Sequence, residues 1–192
     1  MVQRTPPHAV SPRAVSPQSV LEFWRAAGPD RWFSKDDSFD QLCRDGFMEA
    51  YEAAARGDLN EWELTPEGAL AAVLLLDQFP RNMFRGTKAV YKTDPVALMV
   101  ADRAIERGHD KAVDPELRRF FYLPFMHSEE LRHQERSVAL NEATGDQDLA
   151  KWAHHHYDIV KRFGRFPHRN ELLGRESTPE EAQFLAENDF RG

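Results

Sequence analysis

The sequence is short of cysteine, of basic charge and of long apolar runs, and each shortage closes a class of function. Its one cysteine, Cys43, allows no internal disulfide and no multi-cysteine zinc site, and it suits a reducing compartment. Lys and Arg number 25 against 32 Asp and Glu, a net charge of −7. That balance is a poor platform for the phosphate contacts that dominate nucleic-acid affinity, so no nucleic-acid partner is expected. The longest unbroken apolar run, Ala69 to Leu76, has eight residues, whereas a membrane span needs ~20. No charged-then-apolar stretch opens the chain, so the expected address is the cytoplasm, with no membrane partner. Also missing are Gly-x-Gly-x-x-Gly, the Walker loop, the Gly-x-Ser-x-Gly elbow and His-Glu-x-x-His, and no cofactor is expected.

What remains is a chain of 192 residues, 41% apolar, with 13 Phe and 4 Trp, which predicts one soluble domain with an aromatic-rich core. Residues 1–17 carry Pro6, Pro7, Pro12 and Pro17 and read as a flexible N-terminal arm; residues 18–192 read as a single all-helical domain. From Ser19 onward apolar residues recur at three- and four-residue steps: Val20, Phe23 and Trp24, then Phe39, Leu42, Cys43, Phe47, Ala50, Tyr51 and Ala54. Thr65-Pro66-Glu67, Thr93-Asp94-Pro95, Asp114-Pro115-Glu116 and Thr178-Pro179-Glu180 each combine a cap with a proline at the start of a helix. Pro80 is expected to kink or end the third helix near Gln78–Phe79, because it withholds a backbone donor. Helix starts near Thr93, Ser128 and Gly164 recur every 35–36 residues, close to the ~34 of a two-helix tetratricopeptide unit. The predicted fold is therefore all-α, about eight helices stacked as antiparallel pairs in a tetratricopeptide-like manner, although a plain bundle gives similar spacings.

Two segments stand apart. Asp77-Gln78-Phe79-Pro80-Arg81-Asn82-Met83-Phe84-Arg85-Gly86-Thr87 and Arg162-Phe163-Gly164-Arg165-Phe166-Pro167-His168-Arg169-Asn170 both contain Phe-Pro followed by Arg and Asn. Residues 79–88 and 161–170 hold seven of the 25 basic residues and no acid, leaving 18 bases against 32 acids elsewhere. Arginine presents a planar fork of donors that fits carboxylate or phosphate oxygens, and Phe-Pro neighbours exclude water. Meeting across a cleft, Arg81, Arg85, Arg165 and Arg169, with His168, would clamp a small anionic metabolite or an acidic peptide end. Asp77, Asn82 and Asn170 would hold the arginines in place. The alternative is a structural network in which these arginines pair with Asp77, Glu129 or Asp158.

Tyr122-Leu123-Pro124-Phe125-Met126-His127-Ser128-Glu129-Glu130 places His127 and Glu129 after an aromatic helix, where they could act as acid–base groups. In that case the chain would be a cofactor-free hydrolase or transferase, its arginines stabilising developing negative charge. A third reading is a protein-interaction scaffold, with a protein partner or a homo-oligomer. Glu130-x-x-His133 has the spacing of di-iron bundles, but a second copy is missing; His154, His155 and His156 fan around one helix and cannot share one ion. No metal site is expected. Cys43 reads as a core residue, and Trp24 with Trp32 as packing.

At Val20-Leu21-Glu22-Phe23-Trp24, Trp32-Phe33, Leu75-Leu76-Asp77-Gln78-Phe79-Pro80-Arg81-Asn82, Phe125-Met126-His127-Ser128-Glu129, Arg165-Phe166-Pro167-His168-Arg169-Asn170, Leu173-Gly174-Arg175 and Ser177-Thr178-Pro179-Glu180-Glu181 the chain resembles bacterial domain-of-unknown-function family nine-two-four. The resemblance runs from about residue 18 onward. It implies an all-helical, tetratricopeptide-like fold and a cytoplasmic protein, and it implies no activity, substrate or catalytic residue.

Overall fold

The computed structural model describes residues 15–187. Among them every regular element is helical. Ten α-helices follow in order: α1 (Pro17–Ala27), α2 (Pro29–Trp32), α3 (Asp37–Arg56), α4, α5 (Asp94–Glu106), α6 (Pro115–Met126), α7 (Leu131–Glu142), α8 (Gln147–Phe163), α9 (Asn170–Leu173) and α10 (Pro179–Glu187). Helix α4 is one continuous rod in three pieces, Pro66–Val73, a π-turn at Leu74–Gln78, and Phe79–Met83. Short 3₁₀ turns at Asn60–Leu64, Lys88–Tyr91, His109–Lys111 and Pro167–Arg169 join them. The count exceeds the expected eight because α2 and α9 are single turns of four residues, too short to show a period. Of the expected arm over 1–17, residues 1–14 lie outside the described ones; Pro17 is the first residue of α1 and Ser16 its cap, where Ser16 and Ser19 exchange the two hydrogen bonds of a capping box.

The core is aromatic, as its composition predicts. Trp24 is fully buried and stacks on Trp32 at 6.3 Å, while Phe39, Phe79 and Phe120 close around the Trp24 ring. Cys43 is buried among them, and burial pushes its thiol up to about 12, so it supplies no thiolate. Helix α4 runs through this core, in contact with α1, α3, α5 and α6. Thr65 caps it by accepting from the Gly68 amide at 3.1 Å, and Gly68 must lack a side chain because a Cβ there would stand 2.1 Å from the Trp62 carbonyl oxygen. A second, smaller cluster of Ile159, Val160, Phe166 and Phe184 joins α8 and α10 at the C-terminal end.

Pro80 neither ends nor breaks α4. In a regular helix it would owe an N–H to the Leu76 carbonyl. Here the chain widens into the π-turn, the Phe79 amide reaches back to Leu74, and the Leu76 carbonyl accepts the Thr93 hydroxyl at 2.6 Å. Thr93 was expected to cap α5; its side chain makes no cap hydrogen bond and serves α4 instead. Replacing Thr93 with valine keeps the shape and strands that carbonyl in the core. The expected loss is about 1–3 kcal/mol of stability by urea denaturation; an unchanged midpoint would show that the carbonyl finds another donor. Pro124 likewise lies inside α6, which continues to Met126.

Candidate functional site

The π-turn and the C-terminal 3₁₀ turn bring parts of both basic segments to the seam between the two cores. A π-turn rotates the residues after it relative to those before it, and such turns recur at functional sites. Here it carries Asp77, with no exposed surface. Asp77 Oδ1 accepts from Nδ1 of His127 at 2.8 Å, and Oδ2 accepts from Nε2 of Gln78 at 2.6 Å. Arg81, one turn on, donates to the Asp77 carbonyl and lies 3.5 Å from Oδ1. Burial pushes the Asp77 carboxyl up, but Arg81 and His127 outweigh it and bring it down to about 2. Burial, followed by Arg81, holds the His127 imidazole below its ordinary value in spite of Asp77. The pair is therefore an ionised carboxylate beside a neutral ring at pH 7.

Asp94, in the first turn of α5, joins the two basic segments. Arg81 grips it with two hydrogen bonds of 3.0 and 3.2 Å, and Nη1 of Arg169 lies 3.8 Å from its Oδ2. Arg169 is buried, 7% exposed, with its guanidinium 4.5 Å from the ring centre of Tyr91 and 4.6 Å from that of Phe166. Its Nε is buried with no hydrogen-bond partner among the described residues. Burial, with Arg81 adding to it, lowers the Arg169 pKa although Asp94 pulls the other way. The carboxylate partners of Arg81, Arg85 and Arg165 raise theirs. Arg169 is thus short of negative charge where the other three have enough.

A cavity of about 340 Å³ is lined by Tyr91, Pro167, His168, Glu171, Leu172, Ser177 and Leu185; Arg169 is not a wall residue but adjoins two of them, with its guanidinium over the Tyr91 ring and its backbone next to His168. The wall includes His168, whose ring burial and Arg169 together depress to about 3. His156 on α8 packs against Phe166 at 5.7 Å and donates Nδ1–H to the Trp152 carbonyl, and burial brings it to about 3 as well.

The other expected binding residues go elsewhere. Arg85 forms a two-pronged bridge to the buried Asp40 of α3, at 2.7 and 2.9 Å, and also reaches Asn82. Arg165 forms another with Glu181 of α10, at 2.6 and 2.8 Å. Asn170 donates to Ser177 and Glu181. Glu129, read as an acid–base group, accepts two hydrogen bonds from Arg175, at 2.7 and 2.9 Å, and one from the Phe166 amide. Burial raises its pKa, but these donors outweigh burial and hold it below the usual carboxylate range. A structural network exists, but mostly with other partners than expected: Arg81 does approach Asp77, whereas Arg85 pairs with Asp40, Arg165 with Glu181, and Glu129 with Arg175. Asp158 takes no part in it.

Sequence reasoning missed Asp94, Tyr91, Arg175 and His156. Asp94 was read only as a helix start, which is also its place in α5. Arg175 lies in the Leu173-Gly174-Arg175 motif, and its neighbour at Glu129 is 46 positions away. Among the described residues no group of three or more His, Cys, Asp or Glu is placed to hold a metal ion. His133 bonds Ser128 and His154 bonds Glu142.

The family described as "Bacterial protein of unknown function (DUF924)" matches residues 20–189. Among solved structures, a protein of unknown function from Agrobacterium tumefaciens is similar: 52% identical, covering 90% of this chain and 97% of its own, with a TM-score of 0.87. Curated proteins give no match. No helix among the described residues is long and apolar enough to cross a membrane.

Proposed function

The chain belongs to the DUF924 family of bacterial proteins of unknown function, and for this member we propose binding of a small carboxylate-bearing metabolite, or of an acidic peptide end, in the cavity beside Arg169. One observation carries the reading: a guanidinium nine-tenths buried, with an unbonded Nε and only a 3.8 Å approach to a carboxylate that Arg81 already holds. An incoming anion would supply the counter-charge that a buried guanidinium otherwise lacks. Tyr91, His168 and Ser177 offer hydrogen bonds along the wall, and Pro167, Leu172 and Leu185 offer apolar contact. Glu171 is the one carboxylate on that wall, and it would face a hydrogen-bond donor of the ligand rather than its anionic group. The reading keeps Arg169 and His168 as binding groups and makes Arg81 a support. The stacked-pair, tetratricopeptide-like arrangement belongs to the same proposal, supported by contacts between successive helices α5 and α6, α6 and α7, and α7 and α8. So does a cytoplasmic address.

The test is thermal unfolding against acetate, benzoate, succinate, citrate and inorganic phosphate. Carboxylates should raise the melting temperature saturably, with about 2.7 kcal/mol of stabilisation at 100 times the dissociation constant. Arg169→Gln should abolish the saturation. A melting temperature flat across the panel would contradict the proposal.

A further inference from the structure

The carboxylate–imidazole pair at the π-turn is not needed to hold an anion, and its geometry suits another task. We propose that His127, oriented by Asp77, is a general base that adds water to an ester whose remaining part carries the carboxylate held beside Arg169; the inference rests on the binding reading above. Three observations on the ring support it, and although His127 is not itself a wall residue of the cavity, it interacts electrostatically with His168, which is one. Nδ1–H of His127 donates to the Asp77 carboxylate at 2.8 Å, which leaves the lone pair on Nε2. The ring keeps 13% of its side-chain surface open, and no described residue bonds Nε2. Asp77 is itself fixed by Gln78, by Arg81 and by the π-turn, so the ring is held in one orientation.

Other candidates nearby lack one of these features. Glu129 has both oxygens in the Arg175 fork. Ser128 Oγ contacts His133 Nδ1 at 2.8 Å, but it also accepts the Glu130 amide to close the turn, and no described carboxylate bonds the His133 ring.

In the reaction Nε2 takes one proton from water as the water oxygen bonds to the ester carbonyl carbon. The tetrahedral oxyanion collapses with cleavage of the C–O bond to the alcohol, and the alkoxide takes the proton back from Nε2. Ester and water give acid and alcohol, with no oxidant or further reactant. The field of Arg81 and Arg169 favours the oxyanion. Asp77 is a positioning residue, acting only through the ring.

The probe is mono(4-nitrophenyl) succinate, with 4-nitrophenyl acetate as the uncharged comparison. The expected result is saturable hydrolysis of the succinate ester, reduced about 10²–10⁴-fold in His127→Gln, while succinate still stabilises that variant. A second readout uses the wild-type protein: ¹⁵N NMR at pH 7 should find the His127 proton on Nδ1, and Asp77→Asn should move it to Nε2. A wild-type proton on Nε2, equal rates with and without His127, or succinate bound with its ester left intact would each overturn the inference. Failure of succinate to stabilise the protein would instead strike the binding reading, and this inference with it.

Discussion

Replacing Asp77 with alanine is expected to lower the unfolding free energy by about 3–5 kcal/mol, the usual cost of removing one partner from a buried charged pair. Three side chains depend on this carboxylate, which has no exposed surface: His127, Gln78 and Arg81. Arg81 is the costliest to strand. Its side chain is only 21% exposed, and although Asp94 still holds it, the positive charge would face an alanine cavity at the centre of α4. For a domain of this length the loss corresponds to a melting temperature lower by roughly 6–20 °C. Asparagine at the same place should lose less, because it keeps the shape and one acceptor. Denaturation in urea measures both. An alanine variant within 1 kcal/mol of wild type would mean that water replaces the carboxylate, which a sealed pair does not allow.

Lowering the pH from 7.5 to 5 should remove about 4 kcal/mol of stability through two histidines alone. Burial holds His156 and His168 near 3 in the folded protein, against ~6.5 for an unfolded chain. Below pH 6.5 the unfolded state therefore binds protons that the folded state refuses, and stability falls as acid is added. Each group contributes about 2 kcal/mol of loss at pH 5, and the loss continues toward pH 3. Asp77, also depressed, adds to it only below about pH 4. Chemical denaturation at the two pH values checks the sum, and His156→Gln with His168→Gln should flatten the profile. A stability independent of pH between 7.5 and 5 would show that both rings stay solvated.

The helix starts were legible because a cap and a proline act locally. Thr65-Pro66, Asp114-Pro115 and Thr178-Pro179 open α4, α6 and α10 where the sequence places them. Thr93 failed the same rule. A hydroxyl before Asp-Pro can bond forward into its own helix or sideways to a distant carbonyl, and the demand came from Pro80, far back in the chain. The basic segments were legible as segments, and so was the Asp77–Arg81 contact one helical turn apart, but not the distant partners. Asp40, Glu181 and Glu129 reach their arginines across 45, 16 and 46 positions, and an acid on a helix surface looks alike whether it meets water or a guanidinium. Asp94 shows the limit best. An acidic first-turn residue is explained by the helix dipole alone, so nothing in its local sequence betrays the bridge between Arg81 and Arg169.

The central claim is that Arg169, rather than the other arginines of the basic segments, is left wanting an anion. The most direct measurement is NMR of the arginine Nε–H resonances during titration with sodium succinate. The account predicts a saturable shift at Arg169 with Arg85 and Arg165 unmoved, since each of those already binds its carboxylate through Nε. A shift at Arg85 or Arg165 with Arg169 still, or no saturable shift at any of the three, would contradict it.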